Sequence, residues 1–213
     1  MTSIRVAVVP VTPFAQNCSI VACAASGRAA VVDPGGDVAR IRAALDELKV
    51  SPEKILLTHG HIDHAGGAAE LAAALRLPIE GPHRADDFLM SQLDRQGRAF
   101  GIMDARPVTS GRWLDEGDSV GVGDLVFEVR HCPGHTPGHV VFINRAERFA
   151  LVGDTLFAGS IGRTDFPYGD HAALIAAIRD KLMVLDDEVT ILPGHGPAST
   201  IGAERAGNPF LQG

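Results

Sequence analysis

Three cysteines, one tryptophan and one tyrosine among 213 residues leave several common chemistries little to work with. The cysteines, Cys18, Cys23 and Cys132, are odd in number and form no C-x-x-C pair. A complete disulfide framework and a zinc ribbon are therefore excluded, and reduced thiols are expected. Aromatic residues make up only 5% of the chain, too few for a base-stacking platform. There is no run of Lys or Arg, and 19 basic against 26 acidic residues give a net charge of −7. That balance argues against a nucleic-acid partner and against an anionic membrane surface. No apolar stretch reaches the roughly 20 residues needed to cross a bilayer. Pro10 and Pro13 interrupt the apolar start of the chain, so no secretory leader is expected either. The expectation is a soluble, cytoplasmic protein with a small-molecule substrate.

Hydrophobic residues make up 46% of the chain, enough for a sizeable core, and no Pro/Gly/Ser linker divides the chain. One domain spanning residues 1–213 is expected. Strands are read at Ile4–Val9, Ser19–Ala24, Ala29–Val32 and Lys54–Thr58, with a sharp turn at Asp33-Pro34-Gly35-Gly36. Asp37–Leu48 and Ala65–Leu75 are read as helices, and residues 84–104 as a helical cover over a site. The strand rhythm returns at Ser119–Val122, Leu125–Arg130, His139–Ile143 and Arg148–Val152. A helix is read at His171–Leu182 behind Asp170, a good N-cap, and a last strand at Val189–Leu192. Two halves that each run strands-then-helix predict two packed sheets with helices outside.

Nine histidines stand out against this background. Thr58-His59-Gly60-His61-Ile62-Asp63-His64 places three His and one Asp in six positions, between a strand and a helix. A strand end is a rigid platform, and imidazole with carboxylate suits zinc, iron or manganese. Three further segments place a ligand-type residue just past a strand in a Gly/Pro turn: His131–His139 around His135, Gly153-Asp154-Thr155, and Pro193-Gly194-His195-Gly196.

This set resembles the metallo-β-lactamase superfamily, whose signature is T-H-x-H-x-D-H. The resemblance runs over essentially the whole chain and implies a mixed α/β, four-layer αββα sandwich holding two divalent metal ions, zinc first, with iron or manganese as alternatives. It implies that His59, His61 and His135 hold one ion, that Asp63, His64 and His195 hold the other, and that Asp154 bridges them. Asp33 would act from behind, orienting a ligand. Asp63 and Asp154 would be the catalytic carboxylates. Two cations about 3.5–4 Å apart can carry a bridging hydroxide and polarise a carbonyl, so no Ser or Cys nucleophile is required. A thiolate, with a pKa near 8.5, leaves without much help from an acid, which matches thioester hydrolysis.

The stretch Gly153-Asp154-Thr155-Leu156-Phe157 through Gly162-Arg163 is similar to glyoxalase II, in which the basic residue meets the glutathione carboxylate; Arg163 occupies that place. The segment from Gly159 to Gly213 is similar to short, single-domain bacterial type II glyoxalases, and the chain is expected to lack the helical extension of the two-domain members. Asp165 stands where that family has an aromatic residue. The implied reaction is hydrolysis of S-lactoylglutathione to lactate and glutathione. Gly162–Phe166 also resembles persulfide dioxygenases, which would use one iron on His59, His135 and Asp154. A hydrolase of another thioester or ester is the further alternative.

The other histidines have plainer readings. His83 is read as a loop residue, His131 and His139 as packing or supporting neighbours of the ligand loop, and His171 as a helix start. Phe88, Phe100, Trp113 and Tyr168 are read as core packing, with pocket lining as the alternative. Arg163 either meets substrate or pairs with Asp165.

Overall fold

A computed structural model describes residues 3–212. The elements run β1 (Ile4–Val11), β2 (Gln16–Cys23), β3 (Arg28–Val32), α1 (Val38–Leu48), β4 (Ser51–Leu56), α2 (Ile62–Ala65), α3 (Ala68–Leu75), β5 (Ile79–Glu80), α4 (Asp87–Met90) and α5 (Leu93–Phe100). They continue with β6 (Ser119–Val122), β7 (Leu125–His131), β8 (Val140–Asn144), β9 (Phe149–Gly153), β10 (Leu156–Phe157), β11 (Ser160–Ile161), α6 (His171–Ala177), β12 (Thr190–Pro193), β13 (Ser199–Thr200) and α7 (Ile201–Gly207). One sheet has the order β1-β2-β3-β4-β5, the other β13-β12-β9-β8-β7-β6, and β10 and β11 form a small hairpin.

The layering follows from the two-residue period of a strand, which sends alternate side chains to opposite faces. In β2, Cys18, Ile20 and Ala22 face the helices α1 and α3, while Val21 and Cys23 face the other sheet. In β8, Val140 and Phe142 face the first sheet, and Val141 and Ile143 face α6 and α7. In β9, Phe149 and Leu151 divide from Ala150 and Val152 in the same way. Both faces of the central strands are buried, so they read as unbroken apolar runs. Three cores between four layers result: helices, sheet, sheet, helices. No helix among the described residues is long and apolar enough to cross a membrane.

Several expectations need correction. The helix read at Ala65–Leu75 is two helices, α2 and α3. A Cβ on Gly66 would lie 2.7 Å from the Gly35 carbonyl oxygen, and one on Gly67 2.7 Å from that of Pro34. The glycine pair thus lets the Asp33–Gly36 turn press against the chain and break it. The strand read at Lys54–Thr58 is pulled out of the ladder after Leu56, because the Thr58 amide donates to Asp33 Oδ1 at 2.7 Å instead. Residues 84–104 form a 3₁₀ turn followed by the short α4 and α5. At Ile178–Leu182 the helix that begins as α6 widens into π turns. Elements not anticipated are β5, β10, β11, β13 and α7. The last of these is capped by Thr200, whose hydroxyl accepts from Ala203 N at 3.2 Å. Asp170 caps α6 as expected, accepting from Ala173 N at 2.9 Å.

This topology gathers loops at one end of the sandwich. The parallel pairs β3/β4 and β9/β12 end there, followed by Asp33, by Thr58 and His59, by Asp154 and by His195. Asp86 ties two of these loops together. Its buried carboxylate accepts from Gly60 N at 2.9 Å, Thr136 Oγ1 at 2.8 Å and Gly138 N at 2.6 Å. Burial nevertheless pushes its carboxyl up to about 6 against those donors. Asp86→Ala leaves three buried donors unpaired and is expected to cost about 3 kcal/mol of stability. Urea unfolding measures this, and a loss within about 0.5 kcal/mol of zero would be the ordinary surface value and contradict it.

Candidate metal centre

His59, His61 and His135 converge at the floor of a cleft. His61 Nδ1 lies 3.1 Å from His59 Nε2 and 3.0 Å from His135 Nε2. A second set, Asp63, His64 and His195, lies beside it, with Asp63 Oδ2 3.1 Å from His195 Nε2. Asp154 stands between the sets. Its Oδ1 is 3.3 Å from His64 Nε2, and its Oδ2 is 3.6 Å from His135 Nε2 and 3.7 Å from His195 Nε2.

The outward nitrogens of these rings explain which atoms face inward. His135 Nδ1 meets the Arg163 carbonyl at 2.8 Å, and a carbonyl can only accept, so Nδ1 carries the hydrogen. His64 Nδ1 donates to Asp33 Oδ2 at 2.9 Å. Thr58 Oγ1 gives its own hydrogen to Asp33 Oδ2 at 2.6 Å, leaving its lone pairs for His59 Nδ1 at 3.0 Å. His61 Nε2 meets Tyr168 Oη at 2.9 Å. With the outer nitrogens protonated in this way, the inner ones present lone pairs, as a metal requires.

The residues present fit cations. His64 Nε2 and Asp154 Oδ1 are buried and lack a hydrogen-bond partner among the described residues. A Cβ on Gly194 would collide with Asp154 Oδ1 and the His64 ring, so only glycine leaves this cradle its shape. Asp33, His59 and His64 also lie close enough to share an ion, but Asp33 is already committed to Thr58 and His64 through three hydrogen bonds.

Burial, reinforced by neighbouring imidazoles, drives His59 well below the ordinary histidine range and His61 down to about 3. For His64 burial acts in the same direction, but Asp154, Asp63 and Asp33 outweigh it and raise the ring. Burial would raise Asp154; His64, His135 and His195 overcome it and hold the carboxyl low.

The cleft opens into a cavity of about 840 Å³. Phe166 lies 4.9 Å from the His61 ring and stacks on Tyr168 at 5.3 Å, and Phe88 meets Tyr168 edge-on at 5.3 Å. Phe14 and Phe100 pair edge-on at 5.5 Å at the rim. Core packing is therefore the wrong reading for Phe88, Phe100 and Tyr168, which line this cavity; Trp113 does pack against the helix-side core. The Arg163 guanidinium also reaches the cavity, but it is held by Asp165 at 2.7 and 2.9 Å and lies 4.5 Å over Phe166.

His139, which the sequence could only mark as a neighbour, is buried beside His59, and its Nε2 accepts from the Asp154 amide at 3.0 Å. His131 stacks on His83 at 4.1 Å and bonds the Pro137 carbonyl at 2.7 Å. His83 is more than a loop residue, since its Nδ1 accepts from Ala85 N at 3.1 Å. Cys132 is buried in the outer core, where desolvation pushes its thiol up to about 12. The string Gly117-Asp118-Ser119-Val120-Gly121 has the letters of a serine-nucleophile elbow. Ser119, however, opens β6 of the β6–β7 hairpin, and an elbow needs a strand-to-helix turn.

The family profile of the Metallo-beta-lactamase superfamily matches residues 11–195. The hydroxyacylglutathione hydrolase GloC of Haemophilus influenzae is 42% identical over 208 residues, covering 97% of this chain and 98% of that protein. Among solved structures, the BLEG-1 B3 metallo-beta-lactamase has a TM-score of 0.87 at 33% identity, covering 98% of this chain and 100% of the other. TTHA1623 in a di-iron-bound form has a TM-score of 0.87 at 38% identity, covering 96% and 100%. Together with the four-layer architecture, these matches establish that the chain belongs to the metallo-beta-lactamase superfamily.

Proposed function

We propose that the protein is a dinuclear-metal hydrolase of glutathione thioesters, with S-lactoylglutathione and water giving lactate and glutathione. The observation that carries this is the placement of Asp154, whose carboxylate reaches both donor sets: Oδ2 lies near His135 of one and His195 of the other, and Oδ1 near His64. On this reading His59, His61 and His135 hold one divalent ion, Asp63, His64 and His195 hold the second, and Asp154 is shared. The bound pair would supply Lewis acidity toward a carbonyl and a nucleophile from water near neutral pH. Zinc suits the donor set, as do iron and manganese. The completeness of the Asp63–His64–His195 set favours two ions over the single-iron oxidative alternative.

The protein's own groups have positional tasks. Asp33 keeps the His64 hydrogen on Nδ1, the Arg163 carbonyl does so for His135, and Tyr168 accepts the hydrogen of His61 Nε2. His139 holds the Asp154 backbone. Arg163 reaches a glutathione carboxylate by exchanging Asp165 for it. Both side chains are exposed, and solvent screening makes that exchange inexpensive. The 42% identity to a hydroxyacylglutathione hydrolase supports the same substrate class.

Protein loaded with zinc, iron or manganese is expected to release free thiol from S-lactoylglutathione, and to stop when a chelator strips the metal. Absence of turnover with all three metals would refute the proposal. Tyr168→Phe removes the acceptor for His61 Nε2 and is expected to weaken metal binding about tenfold or more. Competition with a chromophoric chelator measures this, and unchanged affinity would show that Tyr168 does not position His61.

A further inference from the structure

Three phenylalanines at the cavity rim are left largely open to water: Phe14 is 42% exposed, Phe88 41% and Phe100 55%. They come from the β1–β2 turn, α4 and α5, so three separate elements bring apolar rings to one opening. Isolated exposed rings are common on protein surfaces, but a cluster at the mouth of a cavity marks a binding surface. The cluster also connects to the reacting centre. From the His61 ring, Phe166 follows at 4.9 Å, Tyr168 at 5.3 Å and Phe88 at a further 5.3 Å.

A lactoyl group has three carbons and a hydroxyl, and nothing in it would cover such a wall. Glutathione is polar and charged, and Arg163, Arg95 and Gln92 of the same cavity offer it polar contacts that the Tyr168 and Phe88 rings do not. The rings start at the metal-facing imidazoles, where the acyl carbon of any thioester has to sit. We infer that the Phe166–Tyr168–Phe88 wall is an acyl-binding site, and that the enzyme favours thioesters whose acyl group is apolar and bulkier than lactoyl, such as medium-chain or aromatic acyl groups.

The inference rests on the thioester-hydrolase reading, and binding of stable thioethers separates the two. Calorimetry with S-methylglutathione and S-hexylglutathione compares a small with a bulky apolar group on one carrier, without any reaction. The longer chain is expected to bind at least about tenfold more tightly. Phe88→Ala is expected to erase most of that ratio, and Phe88→Leu to restore part of it. Thermal melting checks that the variants are folded, as the exposure of Phe88 predicts. Equal affinity for both thioethers, or a ratio unchanged in folded Phe88→Ala, would overturn the acyl site even if S-lactoylglutathione is hydrolysed. A chain-length preference lost in Phe88→Ala would support the site even if no thioester turns over, and the hydrolase reading alone would then fail. In the hydrolysis assay, kcat/KM for hexanoylglutathione is expected to exceed that for lactoylglutathione, and to fall below it in Phe88→Ala. The reverse order in the unaltered protein would count against the site.

Discussion

The structure depends on a crowding that a protein alone resolves poorly. Three imidazole nitrogens meet within 3.1 Å at His61, each turned inward by a hydrogen bond on its far side. Beside them, a buried carboxylate oxygen and a buried imidazole nitrogen face each other with no hydrogen-bond partner among the described residues. The lone pairs of the three imidazoles repel one another, and a buried unpartnered polar atom is costly. A divalent cation in each donor set would turn both costs into attraction. The outer hydrogen bonds from Asp33, Thr58, Arg163 and Tyr168 fix the direction of those lone pairs, and the two sheets fix the loops that carry them.

The sandwich supplies the rigidity. Strands buried on both faces cannot slip register without turning a set of apolar side chains into the wrong layer. The loops at their ends inherit that precision. Asp86 adds a second constraint by spanning the 59–64 and 135–139 loops through three hydrogen bonds. The same loops form the cavity walls, so the groups that would hold metal and those that would meet the acyl chain belong to one framework. Tyr168 belongs to both, bonded to His61 on one side and packed against Phe88 and Phe166 on the other.

The layers were legible in the sequence because their signals are local. The short apolar runs of β8 and β9, bounded by turn residues, are visible over a few residues, and the clustering of His59, His61, Asp63 and His64 needs no fold to be noticed. Asp154 and His195 were visible through a repeated placement, each just past a strand in a glycine turn. Asp86 and Tyr168 were not, because each gains its role from partners far along the chain: Asp86 from Gly60, Thr136 and Gly138, and Tyr168 from His61. Aspartate in a helical stretch and tyrosine near a proline carry no local mark of either role. The break between α2 and α3 was hidden for a related reason. Gly66 and Gly67 sit in an alanine-rich helical pattern, and only the approach of the Asp33–Gly36 turn shows why they are glycine. The helix α7 has too short and too glycine-rich a pattern to stand out.

One carboxylate, that of Asp154, joins two complete donor sets. Metal analysis of protein saturated with zinc and desalted tests it most directly. Two ions per chain are expected, and one per chain in an Asp63→Ala variant that still folds. A single ion in the unaltered protein, with Asp63→Ala leaving that number unchanged, would contradict it.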